Sequence, residues 1–282
     1  MSDCTHDCSS CGESCAQRES KPEDFLVKLS KGSSVKKVIG VVSGKGGVGK
    51  SMVTSLLAAA SMREGFKTAI LDGDITGPSI PKAFGLSMNL VGNAEGLILP
   101  ATTTCGIDIV SVNLMLANET DPVIWRGPVL GGVIKQFWGE TLWQNIDYMF
   151  IDMPPGTGDV ALTIMQSIPV QGVVMVSTPQ PMVSMIVEKA CHMCEKMEVK
   201  VLGIIENMAY LECPNCHERI EFYKKEDVET LCNSTCTKLY GTLPMLDLIR
   251  DINEYDAYSK EQQEKVDAYL SDIATVILED IA

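Results

Sequence analysis

The stretch VVSGKGGVGKS, residues 41–51, joins an apolar run to a glycine-rich loop that ends in lysine and serine. Gly44, Gly49, Lys50 and Ser51 fit the phosphate-loop template G-x-x-x-x-G-K-S. The template has chemical meaning only between a buried strand and a helix, where glycines turn successive N–H groups inward and the helix N-terminus adds its dipole. Both flanks agree: VIGVVS (38–43) is short and β-branched, and SMVTSLLAAASMREG (51–65) is long enough for a helix. The backbone of Gly44, Lys45, Gly46, Gly47, Val48, Gly49, Lys50, Ser51 and Met52 is therefore expected to wrap the phosphates of a nucleotide. Lys50 is expected on the β and γ phosphates and the Ser51 hydroxyl on Mg2+. Lys45 has no evident task around a single phosphate chain.

Working outward, TAILD (68–72), IDIVSV (107–112), YMFID (148–152), GVVMVST (172–178) and VLGIIE (201–206) repeat the short, β-branched pattern of buried strands. Most gaps hold a helix, SMIVEKACHMCEKM (184–197) among them, and such crossovers keep neighbouring strands parallel. The expectation is an α/β fold, a doubly wound, mostly parallel sheet flanked by helices. Residues 1–34 read as a flexible, Cys-rich tail and linker, and residues 35–282 as one P-loop domain that includes CPNC. Near the C-terminus, KEQQEKVDAYLSDIATVILEDI (260–281) has apolar residues at helical spacing beside an acidic face, so it should dock on the domain and not on a membrane.

The 282 residues are 45% hydrophobic with a net charge of −14, which argues against nucleic acid or an anionic membrane held by a basic surface. No run approaches 18 apolar residues, and the N-terminus is polar, so a cytoplasmic chain is expected. With no export signal, the eleven cysteines point to metal or redox chemistry and not to a disulfide framework.

Two acidic stretches follow strands at the end where an open α/β sheet places its ligands. In FIDMPPGTGD (150–159), Asp152 ends an apolar run, and the amides of the Pro-Pro-Gly loop are suited to sensing a γ phosphate. In LDGDITGPS (71–79), Asp72 and Asp74 alternate, so that one supports Mg2+ and the other orients the attacking water.

With its second lysine, GKGGVGKS resembles the deviant phosphate loop of the MinD, ParA and nitrogenase-iron-protein class of dimeric ATPases. DGDITGPSIP, WRGP, DMPPGTGD and ENMAYLECPNC further resemble the Mrp (ApbC) type of iron-sulfur cluster carrier, over roughly residues 36–250. The resemblance implies a homodimeric ATPase that hands a labile cluster to apo iron-sulfur proteins. It makes Lys45 a lysine that crosses the dimer interface to the partner's nucleotide. It also makes Asp74 the water-positioning acid, Asp152 the second switch acid and Asn207 the reader of the adenine edge.

CPNC, Cys213 to Cys216, supplies two thiolates on one turn, whereas a cubane or tetrahedral metal wants four. A twofold axis near the turn would supply the other two from a second copy. The resemblance implies that arrangement, with a 4Fe-4S cluster bridged by Cys213 and Cys216 of both chains. Spacing alone leaves a rival: Cys213, Cys216, Cys232 and Cys236 form C-x2-C-x15-C-x3-C, close to an intramolecular zinc ribbon, with His217 an alternative ligand. Cys4, Cys8, Cys11 and Cys15 form C-x3-C-x2-C-x3-C, compact enough for a metal centre of their own. Cys105, Cys191 and Cys194 read as packing residues, as do Met182, Met185, Met193 and Met197. Three other functions stay open: a MinD- or ParA-like spatial switch, a zinc-stabilised ATPase, and an ATP-coupled electron-transfer reductase.

Overall fold

The computed structural model describes residues 25–87, 89–116, 118, 125, 127–180, 183–213, 215–216, 218–221, 226–245 and 273–281. Cys4, Cys8, Cys11, Cys15, Met182 and His217 lie outside them. Strand β1 (Val35–Ser43) runs into the glycine loop and helix α1 (Lys50–Arg63). There follow β2 (Thr68–Asp72), the short α2 (Ile80–Ala83), β3 (Val91–Gly92), β4 (Ile98–Leu99), β5 (Ala101–Thr102) and β6 (Asp108–Val110). A 3-10 turn (Val112–Met115) and α3 (Gly127–Gly139) precede β7 (Ile146–Asp152), α4 (Asp159–Ser167), β8 (Gly172–Ser177), α5 (Val183–Lys196) and β9 (Val201–Glu206). The chain continues through β10 (Tyr210–Glu212), β11 (Arg219–Glu221), α6 (Glu226–Ser234) and β12 (Leu239–Thr242), and residues 273–281 are helical.

The main sheet has eight strands in the order β12-β9-β8-β1-β7-β2-β6-β5, all paired in parallel except β5 with β6. Successive side chains on a strand point to opposite faces, and a parallel sheet covered on both faces needs both sets apolar. In β1, Val38 and Val42 pack with α3, α4 and α5, while Ile39 and Val41 pack with α1 and the C-terminal helical residues. Likewise Met149 and Ile151 of β7 face the first layer, and Tyr148 and Phe150 the second. The doubly wound α/β fold read from the sequence is the fold observed.

The differences have local causes. The run at 107–112 forms a strand only over Asp108–Val110, because the Ser111 side chain accepts from the Asn113 N–H and starts the 3-10 turn. The antiparallel edge β5 and the hairpin β10–β11 are two and three residues per strand, too short for a periodic signal. Met185 is exposed, contrary to its reading as core. Its neighbour Ile186 packs against Gly44, where an added Cβ would come within 2.7 Å, and one residue further round the helix is about 100° away, facing water.

Three strands position the site. β1 lies between β8 and β7, and β2 lies on the far side of β7. Val41 and Asp72 both pair with Asp152, so the ends of β1, β7 and β2 stand abreast beside the glycine loop. Among the described residues no helix is long and apolar enough to cross a membrane.

In the C-terminal helical stretch, Ile273, Ala274, Ile277 and Leu278 are buried in the second layer. Tyr240 Oη donates to Asp280 at 2.6 Å, Lys238 pairs with the same carboxylate, and Lys37 Nζ donates to the Ile281 carbonyl at 2.7 Å. This part of the predicted helix is docked on the domain, as its pattern suggested. Ile277→Ala should lower stability by about 2–5 kcal/mol, the range for truncating a fully buried aliphatic. A shift of the urea midpoint at unchanged slope would register it, and an unchanged midpoint would show that the docking contributes nothing.

Candidate functional site

The glycine loop closes against its surroundings at both ends. Gly49 has φ 81°, and a Cβ there would sit 2.2 Å from Asn207 Nδ2, so only glycine fits. At the other end the Gly156 N–H donates to the Ser43 carbonyl at 2.9 Å, which brings the Pro-Pro-Gly loop after β7 onto the phosphate loop. Ser43 Oγ donates to the Lys45 carbonyl at 3.0 Å. The Lys45 ammonium reaches out of the loop to Gln180, beyond β8.

Lys50 opens α1 and is buried among carboxylates, with Nζ 2.7 Å from Asp152 Oδ1 and 3.6 Å from Asp74 Oδ2. Both contacts are ion pairs to carboxylates, which hold the ammonium away from water. Asp152 has no exposed surface. It accepts from Ser51 Oγ at 2.6 Å on Oδ2 and from Thr54 Oγ1 at 2.9 Å on Oδ1. Asp72, also fully buried, accepts from Ser111 Oγ at 2.8 Å and from the Asp74 N–H at 3.2 Å. Burial, with Asp152 alongside, pushes the Asp72 carboxyl up to about 8. Burial also raises Asp74, against the opposing pull of Lys50.

Three carboxyl groups thus share one buried lysine, and their oxygens are hard donors of the kind Mg2+ takes. Ser51 fits a direct ligand, already oriented by Asp152. Asp72 fits an indirect contribution, since each of its oxygens already holds a protein donor.

Asn207 follows β9 and is fully buried. Its Nδ2 donates to the Val48 carbonyl at 2.8 Å. A carbonyl only accepts, which fixes the amide's orientation and leaves Oδ1 without a donor among the described residues. Beside the Gly49–Lys50 end of the loop there thus stand a buried cation held by carboxylates and a buried acceptor that calls for an N–H donor.

Six residues after Asn207 the chain reaches Cys213 at the tip of the hairpin β10–β11. The hairpin pairs Tyr210 with Glu221 and Glu212 with Arg219, and the Cys213 N–H donates to the Glu218 carbonyl at 3.0 Å. Its base is tied to the segment after β12, through Ala209 N–H to the Leu243 carbonyl at 2.9 Å and Met245 N–H to the Tyr210 carbonyl at 2.8 Å. Cys213 is half-buried and Cys216 exposed. The amides of Cys216 and Asn215 turn toward the Cys213 sulfur and hold its thiol below the usual range, the condition a thiolate ligand needs.

Cys232 and Cys236 do not complete this pair. Among the described residues no three His, Cys, Asp or Glu side chains converge on a metal position. Cys232 is partly buried on α6 against the first core layer, and Cys236 is exposed at φ 51° in the turn that ends the helix. Among the described residues the four cysteines are not gathered into one closed site. Cys191 and Cys194 are buried in that same layer, and burial lifts their thiols to about 11 and about 12. Cys105 precedes β6, at the opposite end of the sheet from the site, with its sulfur 3.1 Å from Thr103 Oγ1. It offers no ligand to a reductase of the single-cysteine kind.

Sequence reasoning missed Thr54, Ser111 and Gln180. Thr54 lies four residues after Lys50 on one helix face and was findable from that spacing. Ser111 meets Asp72 only because β6 pairs with β2, and Gln180 meets Lys45 only because β8 lies beside β1. Neither neighbour is visible along the chain.

Residues 34–278 match the family model described as ParA, NUBPL iron-transfer P-loop NTPase. A protein of Clostridium perfringens named iron-sulfur cluster carrier protein is 47% identical over 223 residues, covering 76% of this chain and 78% of that one. A protein of the same name from Escherichia coli is 40% identical over 76% of this chain but only 58% of its own length. Among solved structures, a nucleotide-binding protein from Archaeoglobus fulgidus in complex with ADP is 36% identical with a TM-score of 0.66, over 84% of this chain and 88% of that one. The cell division ATPase MinD of Pyrococcus furiosus shares the fold, at 20% identity and a TM-score of 0.60 over 86% of this chain and 98% of that one. This chain belongs to the ParA/NUBPL family of iron-transfer P-loop NTPases.

Proposed function

We propose that the protein is an ATP-driven iron-sulfur cluster carrier. As a homodimer it holds its cargo, a 4Fe-4S cluster, between Cys213 and Cys216 of the two copies and passes it to apo iron-sulfur proteins. The observation that carries the nucleotide half is the pair of buried groups at the Gly49–Lys50 end of the glycine loop, the Lys50 ammonium and Asn207 Oδ1, the latter without a donor among the described residues. A triphosphate gives Lys50 an anionic partner beyond the acids, and the exocyclic amine of adenine supplies the donor that Asn207 lacks. Guanine would present an oxygen to Asn207 and leave two acceptors face to face. The cargo half rests on the hairpin tip, where two thiols lie on one turn with too few ligands among the described residues for a closed site, and on the names of the relatives.

In this reading a water oxygen attacks the γ phosphorus, the bond to the ADP oxygen breaks, and ADP and phosphate leave. Asp74 orients the water, while Lys50, and Lys45 from the second copy, face the charge that builds on the phosphoryl oxygens. Mg2+, held by Ser51 with Asp152 behind it, would supply further charge neutralisation. Turnover is slow because the site works by positioning. Asn207 and Cys213 are joined by a segment that spans at most about 20 Å, which puts the nucleotide and thiol sites on one short stretch of chain.

Anaerobic purification followed by iron, sulfide and zinc analysis tests the cargo. The expected result is iron with matching sulfide, transferable to an apo ferredoxin, and a twofold larger mass for the loaded form than for the free chain. About one zinc per chain and no sulfide would overturn the carrier function.

A further inference from the structure

Thr54 is fully buried on the face of α1 that carries Lys50, and its hydroxyl has two acceptors. Asp152 Oδ1 lies at 2.9 Å and the Lys50 carbonyl at 3.0 Å. A hydroxyl has one proton, so it serves one of them at a time. In the nucleotide-free arrangement Asp152 Oδ1 also faces the Lys50 ammonium at 2.7 Å, and its charge is balanced whichever acceptor Thr54 chooses. The other carboxylate oxygen is held separately by Ser51 at 2.6 Å. Phosphate binding draws the lysine away from Oδ1, and a carboxylate with no exposed surface cannot replace that contact with water.

We propose that Thr54 is a positioning residue of the nucleotide site: its hydroxyl, within reach of both the Lys50 carbonyl and Asp152 Oδ1 in this structure, commits to Asp152 Oδ1 when Lys50 moves onto bound phosphate. The helix loses nothing by the exchange, since the Lys50 carbonyl lies within α1 and a side-chain bond to it is supplementary. Asp152 keeps a donor on each oxygen throughout, and so keeps the direction in which it holds Ser51. The inference rests on the ATP-binding reading above and adds to it the group that makes Lys50 free to leave.

The test compares wild type, Thr54→Val and Thr54→Ser. Valine keeps the branched shape without the hydroxyl, and serine keeps the hydroxyl without the methyl. Three quantities are read: the Kd for a non-hydrolysable ATP analogue, the melting temperature with and without that analogue, and kcat for ATP. For Thr54→Val the expected result is a nucleotide-free melting temperature near wild type, because the lysine still balances Asp152. The rise on adding analogue should be smaller, Kd weaker by about tenfold and kcat lower by a similar factor, the scale of one hydrogen bond to a charged group. Thr54→Ser should recover both to within about twofold. A Thr54→Val protein with wild-type Kd and kcat overturns the inference. So does one whose melting temperature falls equally with and without analogue, which would mark Thr54 as a packing residue, and so does failure of serine to restore function. A wild-type protein that binds no ATP analogue overturns the nucleotide reading itself and is distinguished at once from these outcomes.

Discussion

Lys50→Ala is expected to abolish measurable ATP hydrolysis while leaving iron and sulfide bound at Cys213 and Cys216. The loss in kcat should exceed about 100-fold, since removing one preorganised donor to developing transition-state charge costs roughly 10²–10³ and this one is a full cation. The residue lies 2.7 Å from Asp152 and 3.6 Å from Asp74, with Asp72 behind them, so its removal leaves three acids without a countercharge. Breaking a buried pair in this way costs about 3–5 kcal/mol when the remaining charge stays ionised. Proton uptake by the neighbouring acids moderates that cost, so the variant should melt lower yet remain folded. Because α1 lies at the loop and the thiols lie on a separate hairpin, cluster content should not change. Phosphate release and iron content measured on the same preparation check both halves. Persistent turnover would mean that the phosphates bind elsewhere.

Cys213→Ala should reduce ATP-responsive cluster transfer by more than about 100-fold, because the variant deletes a ligand outright and even indirect disturbances of a metal site cost 10–100-fold. ATP affinity should stay within about twofold, and stability within about 0.5 kcal/mol, as for a change on an exposed turn. Cys216→Ala should behave alike, since neither thiol can hold a cluster alone. Cys232→Ala and Cys236→Ala serve as contrasts, because neither side chain converges on the hairpin thiols and transfer should survive both. Iron held by Cys4, Cys8, Cys11 and Cys15 would persist in Cys213→Ala, so the deciding readout is transfer and not iron content. Transfer that proceeds unchanged without Cys213 would remove the hairpin from the mechanism.

These expectations divide by how far apart in the chain their evidence lies. Lys50 and Ser51 were legible because the loop, its strand and its helix are contiguous, and the glycine spacing encodes the backbone path directly. Asp152 was legible because it ends an apolar run, and a carboxylate at the close of a buried strand needs a ligand or a partner. Asp72 was read as a metal-supporting acid from the same pattern. In the structure its oxygens accept from Ser111 and from the Asp74 amide, and the first of these contacts depends on β6 lying beside β2. Spacing leaves a zinc ribbon of Cys213, Cys216, Cys232 and Cys236 as the rival to the bridged cluster that the resemblance implies. Their placement on a hairpin tip, a core-packed helix and the turn after it follows from where α6 packs, which spacing does not express.

The sequence by itself determined the layered α/β architecture, the phosphate loop and the pair of thiols at Cys213 and Cys216, because each is written in a run of neighbouring residues whose periodicity or φ requirement is local. The tertiary structure alone decided that Asp152 sits between Asp72 and the loop, that Lys45 leaves the loop for Gln180, that Thr54 backs Asp152, and that Asn207 caps the loop with a free acceptor. Each of these contacts joins different elements, except Thr54's, whose partner is nevertheless a strand away. Strand order and register bring such groups together, and both are set by how the whole chain buries its two apolar layers.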